Sequence, residues 1–160
     1  MTKIMLVLNQ TQAGQGGEEN SSLPLAGKKG ALGPGVMMEP YLKEFDAKII
    51  ATIFCGDKNF LENELENSKK IAAMAKKLEA DVIVCGPAFN YERFGEMCGY
   101  LVRFLRENTN IPCVGAMSED NPAYEKYSGL DLVKTPKKGG IGLNDALKNI
   151  VKKAVECCEK

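Results

Sequence analysis

Four charged residues have types and positions that could form a binding site for a small charged molecule. Arg93 and Asp57 each come shortly after an apolar run, and Glu18 and Glu19 lie in a polar segment that follows a third apolar run. The planar guanidinium group of arginine can hold both oxygens of a carboxylate, and glutamate oxygens accept hydrogen bonds from an amine. These residues therefore predict a binding site for a small ligand that carries charge.

The segment 82–101 positions Arg93. Its apolar start predicts a strand that ends at Gly86 and Pro87, followed by a helix with apolar residues three and four positions apart. Asn90 is the predicted N-cap of this helix, so Arg93 falls in its first turn. Ligands of α/β sheets bind at such strand ends, because N–H groups at the helix start point into the crevice. The alternative is an ordinary strand-to-helix connection in which Arg93 pairs with a surface glutamate, namely Glu92, Glu96 or Glu119.

Backbone N–H groups of residues 88–91 are further candidate donors to a ligand carboxylate. The aromatic faces of Phe89, Tyr91 and Phe94 would suit a quaternary amine. The alternative is that these aromatic side chains pack the helix onto the sheet and that the glutamates are solvated.

The elements that must hold these residues alternate along the chain. Strands are predicted at 3–8, 47–54, 81–85, 111–116 and 130–134. Helices are predicted at about 36–45, 59–78, 91–108 and 121–127, and from about 144 to the end. Nearly unbroken apolar strands that alternate with helices favour a parallel sheet covered on both faces.

The expected fold is a single α/β domain of three layers, Rossmann-like, with a five-stranded parallel sheet in the flavodoxin-like order 2-1-3-4-5. The crevice of that order opens between the first and third strands, where the loops 9–35 and 86–91 meet, with 55–59 and 117–121 beside them. Loop 9–35 is glycine-rich and much longer than usual, which is typical of a functional loop. The alternative is a surface loop without a ligand.

Composition excludes several classes of function. Lys plus Arg and Asp plus Glu both total 21, so nucleic acid is not an expected partner. No apolar run has the length of a membrane span, and we expect a cytoplasmic protein with no membrane partner. The absence of histidine excludes a Ser-His-Asp apparatus within this chain, and no metal site is predicted. Buried, reduced thiols are expected for the cysteines in or just after apolar strands, Cys55, Cys85 and Cys113.

Nucleotide-binding signatures are incomplete. Gly14-Gln15-Gly16 begins like a dinucleotide fingerprint, but Glu19 stands at the third glycine position. The stretch 30–35 lacks the Lys-Ser/Thr of a P-loop. No cofactor is predicted, although a nucleotide- or flavin-binding module remains an alternative.

A set of short motifs carries a resemblance to a known family. The motifs are Asn9-Gln10 with Ala13-Gly-Gln-Gly-Gly-Glu-Glu19, Gly33-Pro-Gly35, Thr52-Ile-Phe-Cys-Gly-Asp57 with Phe60, Gly86-Pro-Ala-Phe-Asn90 with Arg93-Phe-Gly95 and Cys98-Gly99, and Glu119-Asp-Asn-Pro122. In this order and spacing the chain resembles, over about residues 3–135, the amino-terminal region of the component B selenoprotein subunit of glycine/sarcosine/betaine reductases.

The resemblance implies a component of an oxidoreductase of anaerobic amino-acid metabolism, in which a multiprotein complex reductively removes the amino group of glycine or its N-methylated relatives. It also implies longer subunits whose redox-active selenocysteine lies in a carboxy-terminal part that this sequence does not contain. The expected partners are other reductase-complex subunits and a small amino-acid or betaine-like ligand, with a homo-oligomer also open. The chain is then a stand-alone relative of the first domain, a domain that needs a separately encoded partner, or a ligand-free interaction module.

The strand ends and the resemblance together give one set of candidate substrate-binding residues, while no catalytic residue is assigned. These residues are Asn9, Gln10, Gly16, Gly17, Glu18, Glu19, Asp57, Gly86, Pro87, Ala88, Phe89, Asn90, Arg93, Glu119 and Asn121.

Overall fold

A six-stranded mixed sheet lies at the centre of the computed structural model, which describes residues 1–159. The strands are β1 (Thr2–Asn9), β2 (Ala26–Lys29), β3 (Ala47–Cys55), β4 (Val82–Cys85), β5 (Cys113–Ser118) and β6 (Leu132–Thr135). The helices are α1 (Pro34–Met37), α2 (Glu39–Glu44), α3 (Asp57–Glu62), α4 (Glu64–Lys77), α5 (Glu92–Asn108), α6 (Pro122–Lys126) and α7 (Leu143–Cys158).

The strand order is β2-β3-β1-β4-β5-β6. The five strands β3, β1, β4, β5 and β6 are parallel and follow the predicted order. The prediction of a wholly parallel, five-stranded sheet is wrong, because β2 adds an antiparallel edge strand beside β3. All four residues of β2 are exposed, and the sequence Ala-Gly-Lys-Lys has no apolar run that would have indicated a strand.

The central strands are buried because helices cover both faces of the sheet. Residues 4–9 of β1 and all of β4 and β5 are buried, which explains their unbroken apolar character. Helices α2 and α7 contact each other and form one layer. The other layer is built around α5, which contacts α3, α4 and α6, and α3 also contacts α4. Because the five strands β3, β1, β4, β5 and β6 are parallel, their carboxyl ends all lie at one edge of the sheet.

Two predicted helices are each divided in two. The helix predicted at 36–45 is α1 and α2, which meet at Met38, and Pro40 lies in the first turn of α2. The helix predicted at 59–78 is α3 and α4, because Asn63 leaves the helical region with φ −137° and ψ 47°. The apolar periodicity continues across both breaks, so periodicity alone could not locate them.

Helix α5 begins one residue later than predicted, and Asn90 is not its N-cap. Tyr91 occupies the N-cap position without a side-chain hydrogen bond. Asn90 is exposed, and its backbone N–H donates to the carbonyl oxygen of Lys137 at 3.0 Å. Within residues 1–159, no helix is both long enough and apolar enough to cross a membrane.

Candidate functional site

An acidic crevice opens at the carboxyl ends of the parallel strands, on both sides of β1. Asn9 ends β1 opposite Cys55, the last residue of β3, and Asp57 opens α3 two residues later. Arg93 lies in the first turn of α5, which follows β4 on the other side of β1. The crevice has a volume of about 370 Å³, and its lining residues are Asn9, Gln10, Thr11, Glu18, Asp57, Tyr91, Glu92 and Arg93.

Asp57 is the hydrogen-bonding centre of the crevice. Its Oδ2 accepts from Asn9 Nδ2 and its Oδ1 accepts from Arg93 Nε, both at 3.0 Å. Its backbone N–H donates to Gln10 Oε1 at 3.0 Å. The side chain is only 7% exposed, and a carboxylate so buried must be paired and hydrogen-bonded because desolvation of an isolated charge is costly. Asn9, Gln10 and Arg93 supply these partners.

Arg93 bridges Asp57 to the long loop. Its Nη2 group donates to Glu18 Oε2, while its Nε group is held by Asp57. The hydrogen bond from Arg93 lowers the pKa of Glu18, and the same bond raises the pKa of Arg93. The surface partners suggested by the sequence are wrong for Arg93, since Glu96 pairs with Lys126 and Glu119 with Lys134.

The loop between β1 and β2 is folded onto the crevice rather than extended into solvent. The Gln12 N–H donates to Asn9 Oδ1 at 2.9 Å, and Gln10 Nε2 donates to the Gly17 carbonyl oxygen at 3.4 Å. Further along, the Gly56 N–H donates to the Leu23 carbonyl oxygen at 2.8 Å. These bonds hold the 3-10 turn Glu18–Asn20 beside Arg93.

Glu19 differs from Glu18 in its environment. Its Oε1 accepts from the Gly17 N–H at 2.9 Å, and hydrogen bonds from the backbone lower its pKa. Glu19 stabilises its own turn, and neither it nor Gly16 or Gly17 lines the crevice.

The segment 86–91 uses its backbone donors internally. The N–H groups of Ala88, Asn90 and Tyr91 donate to the carbonyl oxygens of Ala116, Lys137 and Ala88, respectively. Gly86 has φ 119°, and a Cβ atom there would lie 2.7 Å from the Ala116 carbonyl oxygen, so glycine is required. The predicted donor cluster at 88–91 is therefore wrong for these three groups, which are already occupied by carbonyl oxygens of the chain.

Several other candidate residues serve the fold around the crevice. The Asn121 side chain caps α6 and donates to the carbonyl oxygens of Phe89 and Tyr91 at 3.0 and 3.1 Å. Phe94 is fully buried in the core and Phe89 is 7% exposed, whereas Tyr91 is 51% exposed and lines the crevice. The remaining candidates outside the lining are Gly86, Pro87, Ala88, Asn90 and Glu119.

Thr11 and Glu92 line the crevice but were not among the candidate substrate-binding residues, and the sequence suggested Glu92 only as a surface partner of Arg93. Each is the immediate neighbour of a predicted residue, Gln10 or Arg93, and that adjacency is the only signal the sequence carried. With Glu92 included, three carboxylates face one guanidinium group, a formal balance of two negative charges.

The cysteines near the sheet are not activated for chemistry. Burial raises the pKa of the Cys55 thiol to about 12, and burial also raises the pKa values of Cys85 and Cys113 well above the ordinary range. Since the thiolate is the reactive form, these groups are inert near neutral pH. Among residues 1–159, no group of three or more Cys, Asp or Glu side chains is placed to hold a metal ion.

The fold and the crevice define an α/β protein with an acidic cleft at the carboxyl edge of its sheet. The family model described as glycine/sarcosine/betaine reductase selenoprotein B matches residues 1–160, and the chain belongs to this family. The resemblance inferred from the motifs is thereby confirmed.

Curated relatives agree with the family model. The chain is 37% identical over 125 residues to the sarcosine reductase complex component B subunit beta of Peptoclostridium acidaminophilum. The matched stretch is 78% of this chain and 28% of that relative. It is 34% identical over 145 residues to the glycine reductase complex component B subunit gamma of Carboxydothermus hydrogenoformans, and this match is 91% of the chain and 33% of that relative. The chain thus spans about a third of the length of these relatives. No solved structure matches it.

Proposed function

We propose that this chain holds the amine of a small amino acid in a component B of the glycine/sarcosine/betaine reductase type. The supporting observation is the ion-paired cluster of Asp57, Arg93 and Glu18 in a crevice with an excess of carboxylates. Carboxylates are the groups that a protein uses to accept hydrogen bonds from an ammonium ion. Because carboxylates outnumber the one guanidinium group, the crevice favours the ammonium end of a ligand over its carboxylate end.

In this proposal the two ends of the ligand have different partners. The exposed carboxylates of Glu18 and Glu92 accept from the ammonium group, while Asp57 stays paired with Asn9 and Arg93. The Nε and Nη2 groups of Arg93 are engaged by Asp57 and Glu18, which leaves its Nη1 group for the ligand carboxylate. The ligand is small, because the crevice has a volume of only about 370 Å³.

The names of the relatives offer three candidate substrates, glycine, sarcosine and betaine. Glycine and sarcosine carry N–H donors, whereas the quaternary amine of betaine has none and needs aromatic faces. Tyr91 is the aromatic residue in the lining of the crevice as the structure describes it. We therefore propose that glycine or sarcosine is bound in preference to betaine.

A fragment titration followed by NMR tests the amine site. We expect methylammonium to shift the signals of the Asn9 and Gln10 side-chain amides and of Arg93 Nε–H, and Glu18→Gln to weaken this response. Glu66→Gln is the matched control, because Glu66 is an exposed glutamate on α4 that pairs with Lys70. A response to acetate with none to methylammonium would overturn the amine assignment in favour of the carboxylate clamp.

We also propose that the chain works with other reductase subunits, because its relatives are named as subunits of reductase complexes. Co-purification from the native organism tests this proposal. A stable complex with further reductase subunits is expected. A monodisperse free protein that carries a bound flavin or adenine nucleotide would favour the nucleotide-binding alternative.

A further inference from the structure

A second groove follows β2 and β3 along one edge of the sheet and reaches the amino ends of β1 and β3. It has a volume of about 560 Å³. Lys3 and Lys48, which lie at the amino ends of β1 and β3, are part of its wall, and Lys28 and Lys29 of β2 add two more ammonium groups. Apolar residues that include Ile53 and Leu78 complete the lining. The groove thus combines an apolar surface with a row of positive charges.

The four lysines of this groove have no carboxylate partner within the described chain. Seven other lysines of residues 1–159 are ion-paired within 4.0 Å, but Lys3, Lys28, Lys29 and Lys48 are not among them. Asp81 Oδ2 accepts from the backbone N–H of Lys3 at 2.8 Å, so this bond does not pair the Lys3 ammonium group.

The position of these lysines is unfavourable for the isolated chain. Lys3 and Lys48 are direct neighbours in the register of β1 and β3, and like charges at such positions destabilise a sheet. Lysines on an exposed edge strand discourage pairing with any strand that lacks compensating acidic side chains, which accounts for Lys28 and Lys29. That explanation does not extend to Lys3 and Lys48, because both lie on inner strands.

The outer edge of β2 offers backbone groups to a partner. The Gly30 N–H donates to the Ile50 carbonyl oxygen, and hydrogen-bonded pairs alternate along an antiparallel ladder. Gly27 and Lys29 therefore direct their N–H and C=O groups away from β3. Gly27 has no side chain to obstruct an approaching strand, and β2 is exposed along its whole length.

We propose that the β2 edge and its lysine groove dock an extended acidic segment of a partner protein. The segment adds a strand to β2 through the backbone groups of Gly27 and Lys29, which is the usual geometry of strand addition. Its acidic side chains pair with the ammonium groups of Lys29, Lys48 and Lys3, and its apolar side chains contact Ile53 and Leu78. A small anion would use the ammonium groups alone, so the unpaired edge favours a peptide.

The test uses the whole chain and a fluorescein-labelled peptide, Glu-Thr-Val-Thr-Glu-Thr-Val-Thr-Glu, whose glutamates and valines all lie on one face when it forms a strand. Fluorescence anisotropy at low ionic strength is expected to show saturable binding. Lys29→Gln combined with Lys48→Gln should weaken it by about tenfold or more, since each lost charge pair removes a favourable contact. Lys69→Gln combined with Lys152→Gln is the matched control, because both residues are exposed helix lysines outside the groove.

Two further probes separate strand addition from simple charge attraction. A peptide N-methylated at alternate residues keeps every charge but cannot complete the backbone ladder, and we expect it to lose most of its affinity. Inorganic pyrophosphate reports small-anion binding at the same lysines. The proposal is overturned if the acidic peptide does not bind, if the methylated peptide binds equally well, or if the lysine substitutions leave its affinity unchanged.

Discussion

At the residue scale, the chemistry of the crevice depends on how Asp57 is satisfied. The rule that ligands bind at strand ends, together with the family resemblance, selected Asp57, Arg93 and Glu18 from the sequence. Their mutual pairing was not predictable, because Arg93 is 36 residues from Asp57 and 75 from Glu18 along the chain. Nor could the sequence show that the N–H groups of Ala88 and Asn90 are occupied, since their acceptors lie on β5 and in the turn after β6.

Asp57→Asn should destabilise the fold. The substitution replaces a buried acceptor of two side-chain hydrogen bonds and leaves Arg93 with Glu18 as its remaining ion-pair partner. We expect a loss of about 1–3 kcal/mol in the free energy of unfolding, measured by urea denaturation. Asp46→Asn is the control, because the Asp46 side chain is 78% exposed and pairs only with the amino terminus. Equal stability of wild type and Asp57→Asn would contradict the role of Asp57.

Arg93→Ala tests a second consequence of the same pairing. If Arg93 served only to bind a ligand, its removal from the first turn of α5 would not reduce stability. Because its Nε group satisfies the buried carboxylate of Asp57, we instead expect a measurable fall in the thermal midpoint without ligand. Arg93→Lys should restore little, since one ammonium group cannot reach both carboxylates in the geometry of the guanidinium fork. A midpoint unchanged in Arg93→Ala would show that Asp57 does not depend on Arg93.

The acid titration of Glu18 reports the bridge across the crevice. Its pKa lies below the ordinary value of 4.5 because Arg93 donates a hydrogen bond to it. A lowered folded-state pKa means that the pair stabilises the protein above the unfolded-state pKa, and that this contribution is lost as pH falls through the folded-state pKa. Carboxyl-carbon NMR of wild type and Arg93→Met should show the pKa of Glu18 rising towards 4.5 in the variant. A pKa that is the same in both proteins would contradict the bridge.

At the element scale, the sequence predicted the five parallel strands and their order but missed the edge strand and both helix breaks. The parallel strands have buried apolar runs that periodicity detects, as in residues 4–9 of β1. Strand β2 exists because it pairs with β3, and its own residues carry no apolar signal. The break at Asn63 is a local backbone conformation inside a continuous apolar pattern.

The contact between α5 and α6 depends on a glycine. A Cβ atom at Gly99 would lie 2.1 Å from Cδ2 of the buried Tyr127 ring. Gly99→Ala should therefore cost about 1–3 kcal/mol of stability, because a packed core cannot accommodate the added methyl group. Gly139→Ala is a suitable control, since the nearest atom to its added Cβ would be 3.7 Å away. Denaturant midpoints that fall equally in both variants would argue against a specific clash.

At the scale of the whole molecule, the domain carries two differently charged surfaces on one sheet. The acidic crevice lies at the carboxyl ends of the strands, and the lysine groove follows β2 and β3 and reaches Lys3 and Lys48 at the amino ends of β1 and β3. The formal charge of the chain is zero, so neither surface was visible in the composition. The crevice could be located from strand ends, whereas the groove required the sheet register that brings Lys3 beside Lys48.

Calorimetry of the purified chain with glycine, sarcosine and betaine tests the proposed amine site most directly. We expect wild type and the control Glu66→Gln to bind glycine or sarcosine more tightly than betaine. Glu18→Gln should weaken that binding by about tenfold or more, because it removes a charge-assisted hydrogen bond. The absence of binding to all three compounds, or an affinity for glycine and sarcosine that Glu18→Gln leaves unchanged, would contradict the account.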